Sequence, residues 1–321
     1  MTGPRFRATL SVCGGGGVER FKKILAALDL GPTGDRLTEG SRKALDRAVW
    51  IAGRVGASLT LLHSTAPDEY WDAETEGFVT SREAADDRRA LLEDAIAQMT
   101  AANVESRVVI GSEKAWLAII REVLRSDIDA VIAAKRTSVA SDDRKLGTVA
   151  RKLLRKCPCA VWLEDPREAA DPSLILAATD LGPVGDRVVE KAASVAHAMG
   201  AKLHIVHATS LPMQAQMEGG DARLDYEREA REAAIGHIEA VLEHTPLAGA
   251  AELHVGLSSP AHAILEGAER LRPGLVVMGT VSRGGTAGVL MGNTAERLID
   301  RLDCALLTVK PDDFVCPVAL D

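Results

Sequence analysis

Residues 24–36 read ILAALDLGPTGDR and residues 175–187 read ILAATDLGPVGDR, so a thirteen-residue segment recurs with only two differences. Chance does not produce such a match. A second block pairs AGRVGASLTLLH, ending at His63, with AHAMGAKLHIVH, ending at His207, after the first copy has inserted about seven residues following Arg36. A third pairs LGTVARKLLRK from Leu146 with MGNTAERLIDR from Met291. Each copy then sets a cysteine, Cys159 or Cys304, before an apolar run that finishes at Pro166 or Pro311. A period of about 150 residues means duplicated domains rather than a solenoid of short repeats. The 321 residues suffice for two such units, each with its own core. The expected division is a flexible tail over 1–20 containing the glycines Gly14 to Gly17, a first domain over 21–165, a linker over 166–173 and a second domain over 174–318. The polar, proline-bearing stretch from Glu164 to Ser173 marks the joint.

Within the second copy, Leu174 to Thr179 reads as a buried strand that runs into a turn, Asp180 to Asp186. Val188, Ala192, Val195, Ala196 and Met199 then recur at helical spacing, and Gly200 stands where a left-handed C-terminal cap belongs. Leu203 to Ala208 is a strand, and Ile235, Ile238 and Leu242 mark a second helix, whose counterpart in the first copy opens with the capping box Thr80-Ser-Arg-Glu83. After a strand near Leu253 to Val255, Ser259-Pro260 supplies an N-cap and a first-turn proline. Leu275 to Met278 is an apolar strand, Asn293 to Leu302 a helix and Ala305 to Val309 the last strand. Strand and helix alternate, which predicts an α/β fold: two tandem Rossmann-like domains, each a five-stranded parallel sheet with helices on both faces. Ligands of such sheets lie at the carboxyl ends of the strands, where strand order reverses.

Composition narrows the partners. Lysine and arginine number 38 against 46 acidic residues, for a net charge of -8, so the bulk surface repels nucleic acid and anionic membranes, while a local basic pocket for one small anion is compatible with it. Five cysteines, an odd and sparse number, do not make a secreted disulfide framework and fit a reducing cytoplasm. The apolar run before Cys13 is too short and polar for a signal peptide, and Val12 is not the small residue that a lipoprotein anchor wants. No run approaches the roughly 18 apolar residues of a membrane span.

Two segments of the second copy are expected at the crevice: the turn from Asp180 to Asp186 and the loop from Gly279 to Thr294, GTVSRGGTAGVLMGNT. Glycines let backbone approach a ligand, and the loop runs into the amino end of a helix, where unpaired N–H groups and the helix dipole favour anions. Arg283 adds a positive charge. On the loop alone, a glycine-rich turn that binds nothing accounts equally well for the pattern.

On these residues the chain resembles the tandem universal stress proteins, and the likeness runs from about Phe21 to the C-terminus in both copies. ATP-binding members of that family carry Gly, two residues, Gly, nine residues, Gly, then Ser or Thr. Here the frame reads Gly279, Thr280, Val281, Ser282, nine residues, Gly292 and Asn293, so a serine and an asparagine replace a glycine and the hydroxyl residue. The resemblance implies ATP as the ligand of the second copy, with Asp180, Gly279, Thr280, Ser282, Arg283, Gly292, Asn293 and Thr294 around it. The first copy has Ala134 and Thr137 at the early glycine positions and keeps only Asp29, Gly147 and Thr148. Its Lys135 and Arg136 make that loop basic, so an anion would still be attracted, although backbone cradling of phosphate is lost; Asp29 is as well explained by turn initiation. LLRKCP from Leu153 and KPDDFVCPV from Lys310 are similar to the E-type tandem subgroup, in which ATP binding is not a dependable property. The resemblance further implies an adenine nucleotide alpha hydrolase-like domain fold and an internal pseudo-dimer joined through the last strands. Further pairing of two chains into a homodimer is left open.

Other chemistry is less supported. Cys157-Pro-Cys159 lacks the Cys-x-x-Cys spacing and reads as buried thiol at a strand start. His63 and His207 are repeat equivalents that end the second strand of each copy and face the crevice, with His204 close by on the same strand as His207; a metal site would need further ligands, such as His254 or His262, that sequence does not place. No metal site and no catalytic residue is assigned. The loops Pro67 to Thr80 and Leu211 to Asp221 carry Tyr70, Trp71, Phe78, Met213 and Met217, which either pack on the domain or lid a cavity for a lipid-like ligand. Three functions follow: a stress protein acting through a small ligand or a partner without ATP, an ATP-binding switch working through the second copy, and an enzyme acting on a nucleotide or lipid-like substrate.

Overall fold

The computed structural model describes residues 21–31, 34–65, 82–99, 104–135, 146–166, 173–209, 220–280, 295 and 298–320. The first half contributes β1 (Lys23–Ala27), α1 (Glu39–Val55), β2 (Ser58–Ser64), α2 (Arg82–Met99), β3 (Ser106–Gly111), α3 (Ala115–Ser126), β4 (Ala130–Ala134), α4 (Thr148–Lys156) and β5 (Ala160–Glu164). The second contributes β6 (Leu174–Thr179), α5 (Pro183–Met199), β7 (Lys202–Thr209), α6 (Gly220–Leu242), β8 (Glu252–Leu257), α7 (Pro260–Leu271), β9 (Leu275–Gly279) and β10 (Ala305–Val309). Of the helix expected from Asn293, Ala295, Leu298 and Ile299 are described; they are helical and buried. The capping box at Thr80 lies outside the described residues.

All ten strands form one sheet, in the order β3-β2-β1-β4-β5-β10-β9-β6-β7-β8. Each half is a parallel sheet in which the first strand is central, and the chain reverses direction of travel between β1 and β4, and again between β6 and β9. Helices cover both faces. On one, α1 and α5 bury Ala44, Leu45, Ala48, Ala192, Val195 and Ala196 against Ile24, Leu59, Ile175 and Ile205; on the other, α3, α4 and α7 pack Ile120, Leu153 and Ile264 against Leu25, Val131 and Val276. The strands are apolar on both sides because both sides are covered.

α1 and α5 show how the repeat sets local structure. Each spans 17 residues and stops at a glycine in the left-handed region, Gly56 (φ 72°) and Gly200 (φ 64°). The cap N–H of each returns to a carbonyl four residues back, Ala52 or Ala196. Their amino ends differ. The expected turn over Asp180 to Asp186 is shorter than the sequence reading, since α5 begins at Pro183, whose missing N–H costs nothing in a first turn. The matching GPTGDR of the first half is not helical where described: Leu30 bridges Leu37, Gly34 takes φ 71°, and α1 starts only after Thr38. The inserted residues therefore precede the helix, and Ser41 of α1 takes the place that Gly185 holds in α5.

The halves meet through β5 and β10, which pair antiparallel as Leu163↔Leu306, Trp162↔Leu307 and Val161↔Thr308. In the repeat, Val161, Trp162 and Leu163 match Leu306, Leu307 and Thr308, so the pairing is symmetric about Trp162 and Leu307 and those two residues mark a pseudo-twofold axis. Trp162 is buried, and its indole N–H donates to Glu164 Oε1 (2.8 Å), which Arg47 Nε also reaches at 2.6 Å. Glu164 ends β5, and Asp165 is buried beside Lys135 (3.5 Å).

Two lysines cross this seam in opposite directions. Lys135, after β4, donates to the carbonyls of Leu302 (3.0 Å) and Cys304 (2.6 Å) in the second half. Lys310, after β10, donates to the carbonyl of Leu154 in the last turn of α4. Each ammonium meets the negative end of a helix in the other half, where carbonyls lack intrahelical donors. Burial holds the Lys310 ammonium down to about 8. Lys135→Met keeps the stem and removes the charge from a site that is 6 % exposed. It should lower unfolding free energy by about 3 kcal/mol in urea denaturation, because one partner of a buried ionic set is lost; a change below about 0.5 kcal/mol would show that the crossing lysine does not fasten the halves.

Candidate functional site

The reversals of strand order put one crevice at the carboxyl ends of β1 and β4 and a second at those of β6 and β9. A histidine braces each. His63 Nδ1 donates to the carbonyl of Leu28 (3.0 Å), and His207 Nδ1 to that of Thr179 (3.0 Å), at matching positions of the repeat. Burial lowers the His63 pKa, so that ring is neutral and its single proton serves the strand-to-strand bond. The two histidines expected to face the crevices thus tie the second strand to the end of the first. His204 is not at the crevice: it sits near the amino end of β7 and is buried.

In the second crevice, Asp180 is exposed and its Oδ1 accepts from Gly182 N–H (3.0 Å), while the Thr179 hydroxyl accepts from Leu181 N–H (3.0 Å). Between them Leu181 takes φ 58°, a conformation that costs a non-glycine residue about 1 kcal/mol or more. No sequence signal marks it, since leucine is not a left-handed former. The turn delivers the chain to α5, whose N-cap Gly182 offers no side-chain acceptor to the first-turn N–H groups. Gly185 must be glycine here: a Cβ would stand 2.5 Å from Thr179 Oγ1 and 2.7 Å from Asp180 Oδ1. Thr280 is wholly buried, and its hydroxyl has no hydrogen-bond partner among the described residues, although its N–H reaches Val309 O (3.3 Å).

At the first crevice the chain closes its own turn after β1. Thr38 caps α1 by accepting from Ser41 N–H (3.2 Å), and the Ser41 hydroxyl accepts from Asp29 N–H (2.7 Å). Asp29 is exposed and its carbonyl accepts from Thr38 N–H (3.1 Å), so the residue closes the turn before α1. Gly147 is the N-cap of α4 and Thr148 its exposed first residue. The adjoining Leu146 N–H donates to Asp300 Oδ1 (2.9 Å), and Arg151 pairs with the same carboxylate (2.6 Å). A carboxylate from the second half thus sits where an anion at this helix end would bind. Lys135, expected to make the loop attractive to anions, is buried in the seam and has no charge to offer a ligand there.

Gly279 and Ala134 occupy the same repeat position, the first glycine of the expected phosphate frame. A Cβ on Gly279 would stand 2.8 Å from Val184 Cγ1, and a Cβ on Gly40 would stand 2.8 Å from Ala134 Cβ. Gly40 and Val184 are in turn equivalent positions of α1 and α5. Each half therefore holds one glycine and one larger residue at this contact, with the roles exchanged. The lost glycine of the first half is balanced by Gly40, and Gly279 is required by packing whether or not a ligand binds.

Ser282, Arg283, Gly292, Asn293 and Thr294 lie outside the described residues, as do Arg136, Tyr70, Trp71, Phe78, Met213 and Met217. Of the residues assigned to the second site, Asp180, Gly279 and Thr280 are described, and they stand at the ends of adjacent strands β6 and β9. The described cysteines are free thiols; Cys157 is fully buried, with its Sγ 3.5 Å from that of Cys159. Among the described residues no helix is long and apolar enough to cross a membrane.

The exchange of glycines predicts a coupling. Gly279→Ala should destabilise the protein by about 1–3 kcal/mol, as overpacking does, and Val184→Gly in the same chain should relieve at least about 1 kcal/mol of that loss. Denaturation of the two single variants and the double variant measures it; strictly additive losses would show that the contact is not shared.

The universal stress protein family model matches residues 20–163 and again 173–310. Universal stress protein E of Photorhabdus laumondii is 25% identical over 320 residues, covering 93% of this chain and 98% of that protein. Universal stress protein E of Escherichia coli K12 is 27% identical over 306 residues, covering 88% and 94%. Among solved structures, a functionally unknown protein from Pseudomonas aeruginosa PAO1 superposes with a TM-score of 0.66 at 24% identity over 91% of this chain and 94% of its own. A universal stress protein from Archaeoglobus fulgidus does so with 0.62 at 20% identity, covering 90% and 98%. With one sheet built twice from the same order of strands and both copies matched, the chain belongs to the universal stress protein family and carries two copies of its fold.

Proposed function

We propose that this protein works in the stress response as a small-ligand sensor in which only the second half binds, and that the ligand is an adenine nucleotide such as ATP held between the ends of β6 and β9. The observation that carries this reading is the buried Thr280 hydroxyl with no partner, since buried polar groups are almost always satisfied. It lies beside Gly279 and across from a strained turn that leads into the amino end of α5, where the helix dipole favours an anion. The first half is the scaffold: its helix end faces Asp300, and its lysine is committed to the seam. The substitutions at Ser282 and Asn293 weaken the phosphate frame relative to ATP-binding relatives, so affinity is expected to be modest. A lipid-like ligand is the alternative occupant. The free thiols suit a reducing compartment, the cytoplasm.

Calorimetry with ATP tests the reading. Wild type should bind one nucleotide per chain, and Gly292→Val should abolish the heat by blocking backbone approach. Thr280→Val should weaken binding about 2- to 10-fold, the worth of one neutral hydrogen bond, while leaving the melting temperature unchanged or higher because the hydroxyl has no protein partner to lose. No heat with wild type would leave a protein acting through another ligand or a partner. Binding unchanged in Gly292→Val would move the nucleotide away from this crevice.

A further inference from the structure

At the opposite end of the same half, three metal-competent side chains converge on the sheet. His204 near the start of β7 pairs in register with Glu252, the first residue of β8, and Val206 pairs with His254. The alternation of strands puts His204, Glu252 and His254 on one face, at the amino ends of the strands and away from the crevice. His204 Nδ1 lies 2.9 Å from His254 Nε2 and 3.5 Å from Glu252 Oε2, and all three donor atoms fall within 4.8 Å of one another. The imidazole rings are nearly parallel, 4° apart, with centroids at 5.2 Å. A tetrahedral zinc site with bonds of about 2.0–2.1 Å places neighbouring donors about 3.3 Å apart. The observed separations bracket that value.

The protons of the cluster explain why a cation belongs there. Arg270 Nη2 stands 3.2 Å from His254 Nδ1, and a guanidinium only donates, so that nitrogen presents a lone pair. The neutral His254 ring then carries its proton on Nε2 and gives it to His204 Nδ1. One proton therefore serves a cluster with three acceptors: His204 Nδ1, His254 Nε2 when that proton leaves, and the Glu252 carboxylate, which finds no donor on His204 Nδ1. A divalent cation in place of the proton satisfies all three.

We infer that His204, Glu252 and His254 form a zinc site with a fourth position open to water, and that Arg270 holds the site closed until metal arrives. On binding, the His254 proton moves from Nε2 to Nδ1 and the exposed Arg270 side chain turns away. Nothing in this site depends on the nucleotide crevice.

The test is competition for Zn2+ between the metal-free full chain and a chromophoric chelator. His254→Gln and Glu252→Gln, both partly or largely exposed positions, should each weaken binding at least 10-fold with an unchanged circular dichroism spectrum. Arg270→Gln should bind more tightly than wild type, an outcome that a merely structural arginine does not predict. Co2+ substituted at the site should give a tetrahedral ligand-field spectrum without the thiolate charge-transfer band that Cys157, Cys159 or Cys316 would produce. Equal affinity in wild type, His254→Gln and Glu252→Gln, or a thiolate band, would overturn the assignment. Unchanged or weaker binding in Arg270→Gln would overturn the gate.

Discussion

The antiparallel pairing of β5 with β10 is the contact on which the rest of the molecule depends. Two parallel sheets would each end in an open edge at their last strand, and such edges invite pairing with other chains. Joining them around Trp162 and Leu307 turns two five-stranded sheets into one and buries the last strand of each half on both sides. The symmetry is that of a homodimer written into one chain. Because the halves need not be identical, the crossing lysines can come from different places: Lys135 follows β4, and Lys310 follows β10.

That freedom explains why the two crevices have diverged. The position after β4 is a lysine in one half and Thr280 in the other; the first was drawn into the seam, and the second keeps a buried hydroxyl with no partner among the described residues. Asp300 of the second half then neutralises the α4 end of the first. The exchange of Gly40 and Ala134 for Val184 and Gly279 shows the same bookkeeping at the level of one methyl group: interiors are close-packed, so volume lost at one position is regained at its neighbour. The lysine after β4 fastens the halves, and its counterpart Thr280 is left out of the seam.

Much of the fold was legible because it rests on local signals. The apolar runs gave the strands, Gly56 and Gly200 the ends of two helices, and Ser259-Pro260 the start of α7, where Ser259 accepts from His262 N–H (3.3 Å). Asp29 and Asp180 were legible as residues at strand ends, and their roles in turns follow from the backbone around them. What escaped was whatever depends on distant partners. Lys135 looks like a loop cation in sequence, and its partners are 167 and 169 residues away. His204 and His254 are 50 residues apart and meet only because β7 and β8 pair in that register.

The most instructive case is the repeat itself. Its near-identity determined that one fold is used twice, because the same pattern of buried residues admits the same sheet and the same helices. Yet GPTGDR and GPVGDR take different structures, a turn with Gly34 at φ 71° in one half and the first turn of α5 in the other. The inserted residues let Thr38 cap α1 and Ser41 hold Asp29, so the first copy of the motif is pushed out of the helix. The sequence by itself therefore determined the architecture, the family and the inequality of the glycine frames. Only the tertiary structure decided which glycine is there for packing and that Lys135 is drawn into the seam, since each of these depends on atoms that the other half, or a neighbouring strand, brings into contact.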